Sequence, residues 1–255
     1  MMITDNPFLA ATEFLPPHFL QAYVVLMILA VIAGTLFDLY HKRSAQFFVQ
    51  QRAQSSAAAT RRLSGAEVVR IATRTLAHDV ATFGEFCNPS RRRSHVLMFY
   101  GFVLYLVTTV VMVFGYPAEP HTPAVLPVLW NIGVVMVLIG GYWFFFFLRV
   151  NVVHDGQPPW RLVRADLFIV LLLASVSFAL LFELGAMAGN STATRILFGA
   201  YLFFTTLLFV SVPWSKFAHM FYKPVVAFQR NVEEADGSSS LPAPTGDTRC
   251  PPTPT

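Results

Sequence analysis

The chain contains 255 residues, of which 55% are hydrophobic and only 13% are charged, and its mean hydropathy is +0.55. A soluble globular domain carries about 25% charged residues, so the composition excludes an ordinary soluble enzyme and favours an all-α integral membrane protein. We interpret the net charge of +4 as a sign of membrane orientation, and we expect no nucleic-acid partner. Two cysteines, Cys87 and Cys250, are too few for an iron–sulfur cluster or a disulfide framework.

Five apolar stretches are long enough to cross a membrane, since a spanning helix needs about 20 mostly apolar residues. Residues before the first stretch include Asp5 and Glu13 but no Lys or Arg, which argues against a signal peptide. We therefore predict a five-helix membrane bundle within a domain of residues 1–232. The predicted spans are residues 19–40, 95–116, 125–148, 167–188 and 196–215.

Lysine and arginine residues fall almost entirely on one side of the predicted spans. Seventeen of the 18 lie in the 42–93 segment, in the loop after the third span or after the fifth span, and Arg195 alone lies on the other side. The positive-inside rule then predicts an outside N-terminus and a cytoplasmic C-terminus. We expect a multi-pass protein of the inner (cytoplasmic) membrane.

The cytoplasmic segment between the first two spans contains a predicted amphipathic helix. Ser64 and Glu67 have the spacing of a capping box, and apolar residues recur at helical intervals from Val68 to Phe83. Two roles are open for this helix, namely lying on lipid headgroups or docking a cytoplasmic partner. Residues 233–255 are rich in Ser, Pro, Thr and Gly and are predicted to form a disordered cytoplasmic tail.

Two histidines lie at similar predicted depth. His95 opens the second span and His219 follows the fifth span, so both belong to the cytoplasmic side of the bundle. Imidazoles from two facing helices can ligate a heme iron from opposite sides of the porphyrin. The alternative is that each histidine is an interfacial residue whose polar end reaches the headgroups. Depth alone leaves both interpretations open.

The local sequence around both histidines adds a family resemblance. The chain reads RRRSHVLMFYGF over residues 91–102 and PWSKFAHMF over residues 213–221. These motifs resemble the cytochrome b membrane subunits of the respiratory nitrate reductase gamma-subunit superfamily, over about residues 60–230. The longer run from Cys87-Asn88-Pro89 through Gly101-Phe102 looks especially like the cytochrome b domain of tricarballylate utilisation membrane proteins. The five-span plan also resembles the membrane anchor of adenylylsulfate reductase.

The resemblance implies one b-type heme held by His95 and His219 as metal ligands. Members with two hemes carry further histidines at positions that correspond to Tyr105 and Tyr201, so the resemblance implies that the outer heme is absent. Beside the two histidines, Arg93 and Lys216 are candidates to pair with the heme propionates. The alternative for these cations is the ordinary positive charge of a cytoplasmic membrane boundary.

Other polar and aromatic features of the spans allow two interpretations each. Glu183 could be a solvated carboxylate at the outer interface or an intramembrane proton acceptor for quinol. The aromatic run of residues 142–147 could face lipid or stack on a quinone ring. Pro213 could bend the chain so that His219 turns toward iron, or simply end the fifth helix.

These patterns predict a membrane electron-transfer subunit. It would pass electrons between the quinone pool, as exchangeable substrate, and a cytoplasmic iron–sulfur or flavoprotein oxidoreductase, for example a sulfur-metabolism reductase such as adenylylsulfate reductase. The shortage of cysteines is the reason to expect such a separate partner. A heme-free anchor for a soluble oxidoreductase is the alternative, and the lack of evident internal repeats disfavours a transporter.

Overall fold

The computed structural model describes residues 2–41, 44–83, 88–117, 122–149, 152, 154–214 and 219–239, without the side chains of residues 44–49, 51 and 219–223. Within these ranges the chain is helical and has no β-strand. The α-helices are α1 (Pro17–His41), α2 (Ser44–Ala58), α3 (Gly65–Arg74), α4 (Pro89–Gly115), α5 (Val125–Trp143), α6 (Leu167–Met187), α7 (Ser191–Val210) and α8 (His219–Asp236). A 3₁₀ segment, Pro7–Glu13, precedes α1, and a 3₁₀ turn, Arg164–Asp166, precedes α6. Two π-helical turns, Thr75–Val80 and Phe144–Leu148, extend α3 and α5.

Five of the helical segments are long and apolar enough to cross a membrane, which confirms the predicted all-α, five-span fold class. They have 20 to 27 residues each, the length that a hydrocarbon core about 30 Å thick requires. The candidate spans are Pro17–His41, Pro89–Gly115, Val125–Leu148, Arg164–Met187 and Ser191–Val210.

Several helix boundaries differ from the predicted ones for local reasons. Helix α4 begins six residues before His95, because the Asn88 side chain accepts hydrogen bonds from the backbone N–H groups of Ser90 and Arg91. Helix α7 begins at Ser191 because Asn190 caps it in the same way.

Two further differences lie outside the spans. Helix α2 was not indicated by any sequence pattern. Helix α8 continues to Asp236, past the predicted start of the tail at residue 233, and residues 240–255 lie outside the described residues.

The chain forms two compact units. One unit comprises Met1–Gly34 and Arg93–Lys216, and the other comprises Thr35–Arg92 and Phe217–Thr255. In the first unit α6 and α7 pack closely side by side, with Phe182 and Phe198 buried at a ring-centroid distance of 4.8 Å. Buried hydroxyls pair between the same two helices, since Ser175 Oγ and Thr205 Oγ1 lie 2.7 Å apart.

Glycines let the backbones of α4 and α5 approach closely in the first unit. A Cβ added at Gly101 would lie 2.7 Å from the Met136 Cβ and 2.9 Å from the backbone oxygen of Gly133. A Cβ at Gly140 would lie 2.8 Å from the backbone oxygen of Ser94. Such contacts between small residues are a main source of helix association in membranes, where lipid is as apolar as a leucine side chain.

The second unit packs α3 and its π-helical extension against α8. Asn231 Nδ2 of α8 donates to Thr75 Oγ1 at 2.7 Å and to Asp79 Oδ2 at 2.8 Å, and both acceptor residues are buried. The predicted capping box is confirmed, because the Ser64 hydroxyl accepts from the Glu67 N–H while the Glu67 carboxylate accepts from the Ser64 N–H. These two hydrogen-bonding patterns fix where α3 begins and which face it turns toward α8.

Replacement of Gly101 by alanine should destabilise the bundle, because the added methyl group meets the backbone of α5. We expect a cost of about 1–3 kcal/mol, seen as a lower unfolding temperature of the purified protein in detergent. Gly199→Ala is the matched control, since no atom lies within 4 Å of a Cβ at that position. Alanine there should be neutral or slightly stabilising. Equal destabilisation by both variants would contradict the close contact of α4 and α5.

The start of α3 should depend on pH. Hydrogen bonds from the Ser64 N–H and hydroxyl, with a smaller contribution from Arg61 and Arg70, hold the pKa of Glu67 below its usual range. The cap is therefore fully effective above the ordinary pKa of a glutamate, and its contribution is lost as the pH falls through the lowered value. Amide exchange of residues 65–74, corrected for intrinsic rates, should show falling protection in acid. E67Q keeps a capping group but does not titrate, and a pH dependence unchanged in E67Q would contradict this assignment.

Candidate functional site

His95 lies at one end of the bundle, near the beginning of α4. Its side chain is half-buried, and its ring meets Phe144 edge to face at a centroid distance of 5.2 Å. Phe144 begins the π-helical turn that extends α5. π-helical turns occur frequently at functional sites, and this one places Phe144 against the His95 ring.

The turn of α4 that carries His95 is fixed against α5. The preceding residue, Ser94, is fully buried, and its hydroxyl donates to the backbone oxygen of Gly140 at 2.8 Å. This hydrogen bond and the absence of a side chain at Gly140 hold the two backbones together one residue away from the imidazole. The direction of the His95 side chain is thus set by rigid helices rather than by a loop.

The candidate cation Arg93 contacts an aromatic ring at the same end of the bundle. Its guanidinium carbon lies 5.7 Å from the centre of the Trp143 ring, a cation–π contact. This contact holds the positive charge one turn or less from His95 along α4. A role of Arg93 beside a propionate remains a prediction.

The other half of the predicted ligand set is not described at side-chain level. His219 is the first residue of α8, and its side chain lies outside the described residues, as does Lys216 altogether. Across the part of the chain that the structure describes, no group of three or more His, Cys, Asp and Glu could hold a metal ion. A heme with two imidazole ligands needs only two such groups, so the His95–His219 pair stays a prediction.

Tyr105 and Tyr201 contact each other directly in the core. Their hydroxyl oxygens lie 2.7 Å apart, and each side chain is 5% exposed. Trp130 packs on Tyr105 at a centroid distance of 5.5 Å and donates its indole N–H to Thr109 Oγ1 at 2.9 Å. The two positions at which the resemblance puts further heme ligands are thus occupied by buried tyrosines that hydrogen-bond to each other, and the absence of an outer heme stays a prediction.

The interpretation of Glu183 as a solvated interfacial carboxylate is wrong. The side chain is only 1% exposed, and Glu183 Oε1 accepts a hydrogen bond from Asn131 Nδ2 at 2.8 Å. Asn131 also donates to the backbone oxygen of Pro127 at 3.1 Å. Asn131 and Glu183 are 52 residues apart in sequence, so no local sequence pattern could have predicted their hydrogen bond.

Sequence reasoning also missed a buried ion pair close to the end of α5. Arg149 Nη1 donates to Asp166 Oδ2 at 2.5 Å, and both side chains are less than 10% exposed. The Arg149 guanidinium also lies 4.4 Å over the Phe145 ring and donates to the backbone oxygens of Pro159 and Arg161. Arg149 therefore fastens the loop between α5 and α6 to the helices on either side.

The aromatic run of residues 142–147 contains several exposed side chains. Phe147 is 68% exposed and Phe146 41% exposed, and Tyr142 stacks on Phe146 at 6.0 Å. Exposed aromatic rings at the end of a spanning helix are typical of residues that face lipid at the interface.

The five-helix architecture defines a multi-pass membrane protein. Comparison with known proteins gives a distant relative, citrate utilization protein B of Escherichia coli, which is 29% identical over 174 residues. The alignment covers 62% of this chain and 44% of that protein, so the chain spans less than half the length of this curated relative. No family model and no solved structure matches the chain. The match agrees with the tricarballylate-utilisation-like part of the predicted resemblance, and membership of a cytochrome b family remains a prediction.

The hydrogen bond between Asn131 and Glu183 should stabilise the bundle. We expect a double-mutant cycle with N131A, E183A and the combined variant to give a coupling energy of about 0.5–2 kcal/mol, measured by unfolding in detergent. E183Q is the conservative control, because its side-chain oxygen can still accept from Asn131. N131A should be more harmful than E183Q, because it leaves a buried carboxyl without its donor. Additive effects of the two substitutions would contradict the pairing.

Proposed function

We propose that the chain is a membrane electron-transfer subunit that holds one b-type heme between His95 and His219. The subunit exchanges electrons between the quinone pool and a cytoplasmic iron–sulfur or flavoprotein oxidoreductase. We place it in the inner (cytoplasmic) membrane, with α3 and α8 on the cytoplasmic side. The observation that carries the proposal is the position of His95, half-buried on a rigid helix at the arginine-rich end of the bundle.

The chemistry of the donor set fits a b-type heme. A half-buried imidazole is a suitable axial ligand, and His95 supplies one within the described residues. Phe144 and the hydrogen bond from Ser94 to Gly140 orient the ring, as residues around a metal ligand ordinarily do. His219 would supply the second imidazole, and Arg93 and Lys216 would balance the negative charge of the propionates.

The protein's own residues then determine what the site can do. When bound, the heme would take up and release single electrons. His95 and His219 would hold it at the cytoplasmic end. The packed Tyr105–Tyr201 pair lies farther along the bundle, and the exposed rings around Phe146 offer an apolar surface for a quinone.

The relative supports a link to organic acid metabolism. The name of that protein, citrate utilization protein B, refers to use of a tricarboxylate. Together with the resemblance to tricarballylate utilisation proteins, it favours a partner that oxidises or reduces a polycarboxylate. A sulfur-metabolism reductase such as adenylylsulfate reductase is the other partner suggested by the resemblance.

Optical spectra of the purified full-length protein test the ligand pair. The dithionite-reduced minus oxidised spectrum should show a b-type band, and H95A and H219A should each lower the heme content at least about tenfold, since loss of a ligand exceeds the effect of losing a supporting residue. His154 is an exposed histidine in the loop after the third span, so H154A is the matched control and should keep the band.

A folding defect can be separated from loss of the ligand. H95G leaves a space that free imidazole can fill, so added imidazole should restore the band if His95 binds iron. A wild-type protein without any b-type band would favour the heme-free anchor, and a band that survives both H95A and H219A would rule out this ligand pair.

A further inference from the structure

The second compact unit contains a pocket with arginines on its wall. The pocket has a volume of about 530 Å³ and lies between α3 and α8. Three arginines line it, together with two glutamates and Asn231, and Leu63, Ile71 and Ala235 add apolar surface. The arginines are Arg61, Arg70 and Arg74, and the glutamates are Glu67 and Glu234.

The two acidic residues on the wall are already paired. Glu67 accepts hydrogen bonds from Ser64 in the capping box and pairs with Arg61. Glu234 pairs with Arg230 across one helical turn, with 3.6 Å between Nε and Oε1. Glu67 also attracts Arg70, so its charge is shared between two arginines of the pocket.

Arg74 has no ion-pair partner among the described residues, and Arg70 has only the weaker attraction of Glu67. They lie four residues apart on α3, a spacing at which like charges repel and destabilise a helix. Neither forms an ion pair or a side-chain hydrogen bond with a residue that the structure describes. A bound anion would relieve this repulsion, and a guanidinium group binds an oxyanion through two parallel hydrogen bonds.

Asn231 ties the α8 wall of the pocket to α3. Its Nδ2 donates to Thr75 Oγ1 and Asp79 Oδ2. The two helices that form the pocket are therefore held together by the protein's own hydrogen bonds.

We propose that this pocket binds a phosphate group, either in the headgroup of an anionic lipid or as free phosphate. On the proposed topology the pocket is cytoplasmic, and basic pockets on that side of membrane proteins bind anionic lipid headgroups. The site is distinct from the proposed heme ligands and does not depend on heme binding.

Two probes distinguish the sources of the phosphate group. Inorganic phosphate is titrated calorimetrically into delipidated protein in neutral detergent. Phosphatidylglycerol is tested in phosphatidylcholine nanodiscs, and native mass spectrometry then counts the molecules that stay bound to the released protein. Binding of inorganic phosphate supports a free-phosphate site, and selective retention of phosphatidylglycerol alone supports a lipid site.

The variant R70Q/R74Q should weaken binding of the retained probe about tenfold or more, because it removes charge-assisted hydrogen bonds. R52Q/R62Q is the matched control, since it removes the same net charge from exposed arginines outside the pocket and should change binding less than about twofold. Circular dichroism checks that each variant folds. If R70Q/R74Q does not fold, the single variant R74Q is tested instead. An equal loss of affinity in R70Q/R74Q and R52Q/R62Q would overturn the proposal. Absence of binding of either probe by the wild-type protein would overturn it too.

Discussion

The close approach of α4 and α5 is the constraint on which the arrangement of the bundle depends. Gly101, Gly133 and Gly140 remove the side chains that would otherwise separate the two backbones. Because one helical turn corresponds to about 5.4 Å, a shift of a single turn would replace each glycine contact by a clash. The glycines therefore fix the relative depth of all other residues on these helices, including His95 beside Phe144 and Tyr105 beside Trp130.

Because the depth of each residue along the bundle is fixed, two kinds of polar group lie at different depths. Arginines and His95 gather at one end, where Arg93 and Arg149 lie over aromatic rings. Farther along the bundle the polar side chains are paired through buried hydrogen bonds, as in Tyr105 with Tyr201 and Asn131 with Glu183. Such pairing is expected in a membrane, because burying an unpaired polar group in lipid costs free energy. The proposed redox chemistry thus belongs to one end, and the remaining polar groups help to hold the helices together.

The five spans could be predicted from the sequence because long apolar stretches are a direct consequence of membrane thickness. The capping box at Ser64 and Glu67 could also be predicted, because both partners lie within one helical turn. Helix α4 begins earlier than predicted because a helix can continue through arginines beyond the apolar stretch. What the sequence could not reveal were contacts between distant residues, such as Asn131 with Glu183 and Arg149 with Asp166, which depend on how helices face one another.

We propose that the chain holds a single heme at the His95 end of the bundle. The pyridine hemochrome assay on purified wild-type protein, combined with quantitative amino-acid analysis, measures heme per chain directly. A value of about one follows from a single pair of axial histidines. A value near zero would contradict the electron-transfer role, and a value near two would contradict the account in which Tyr105 and Tyr201 occupy the outer layer.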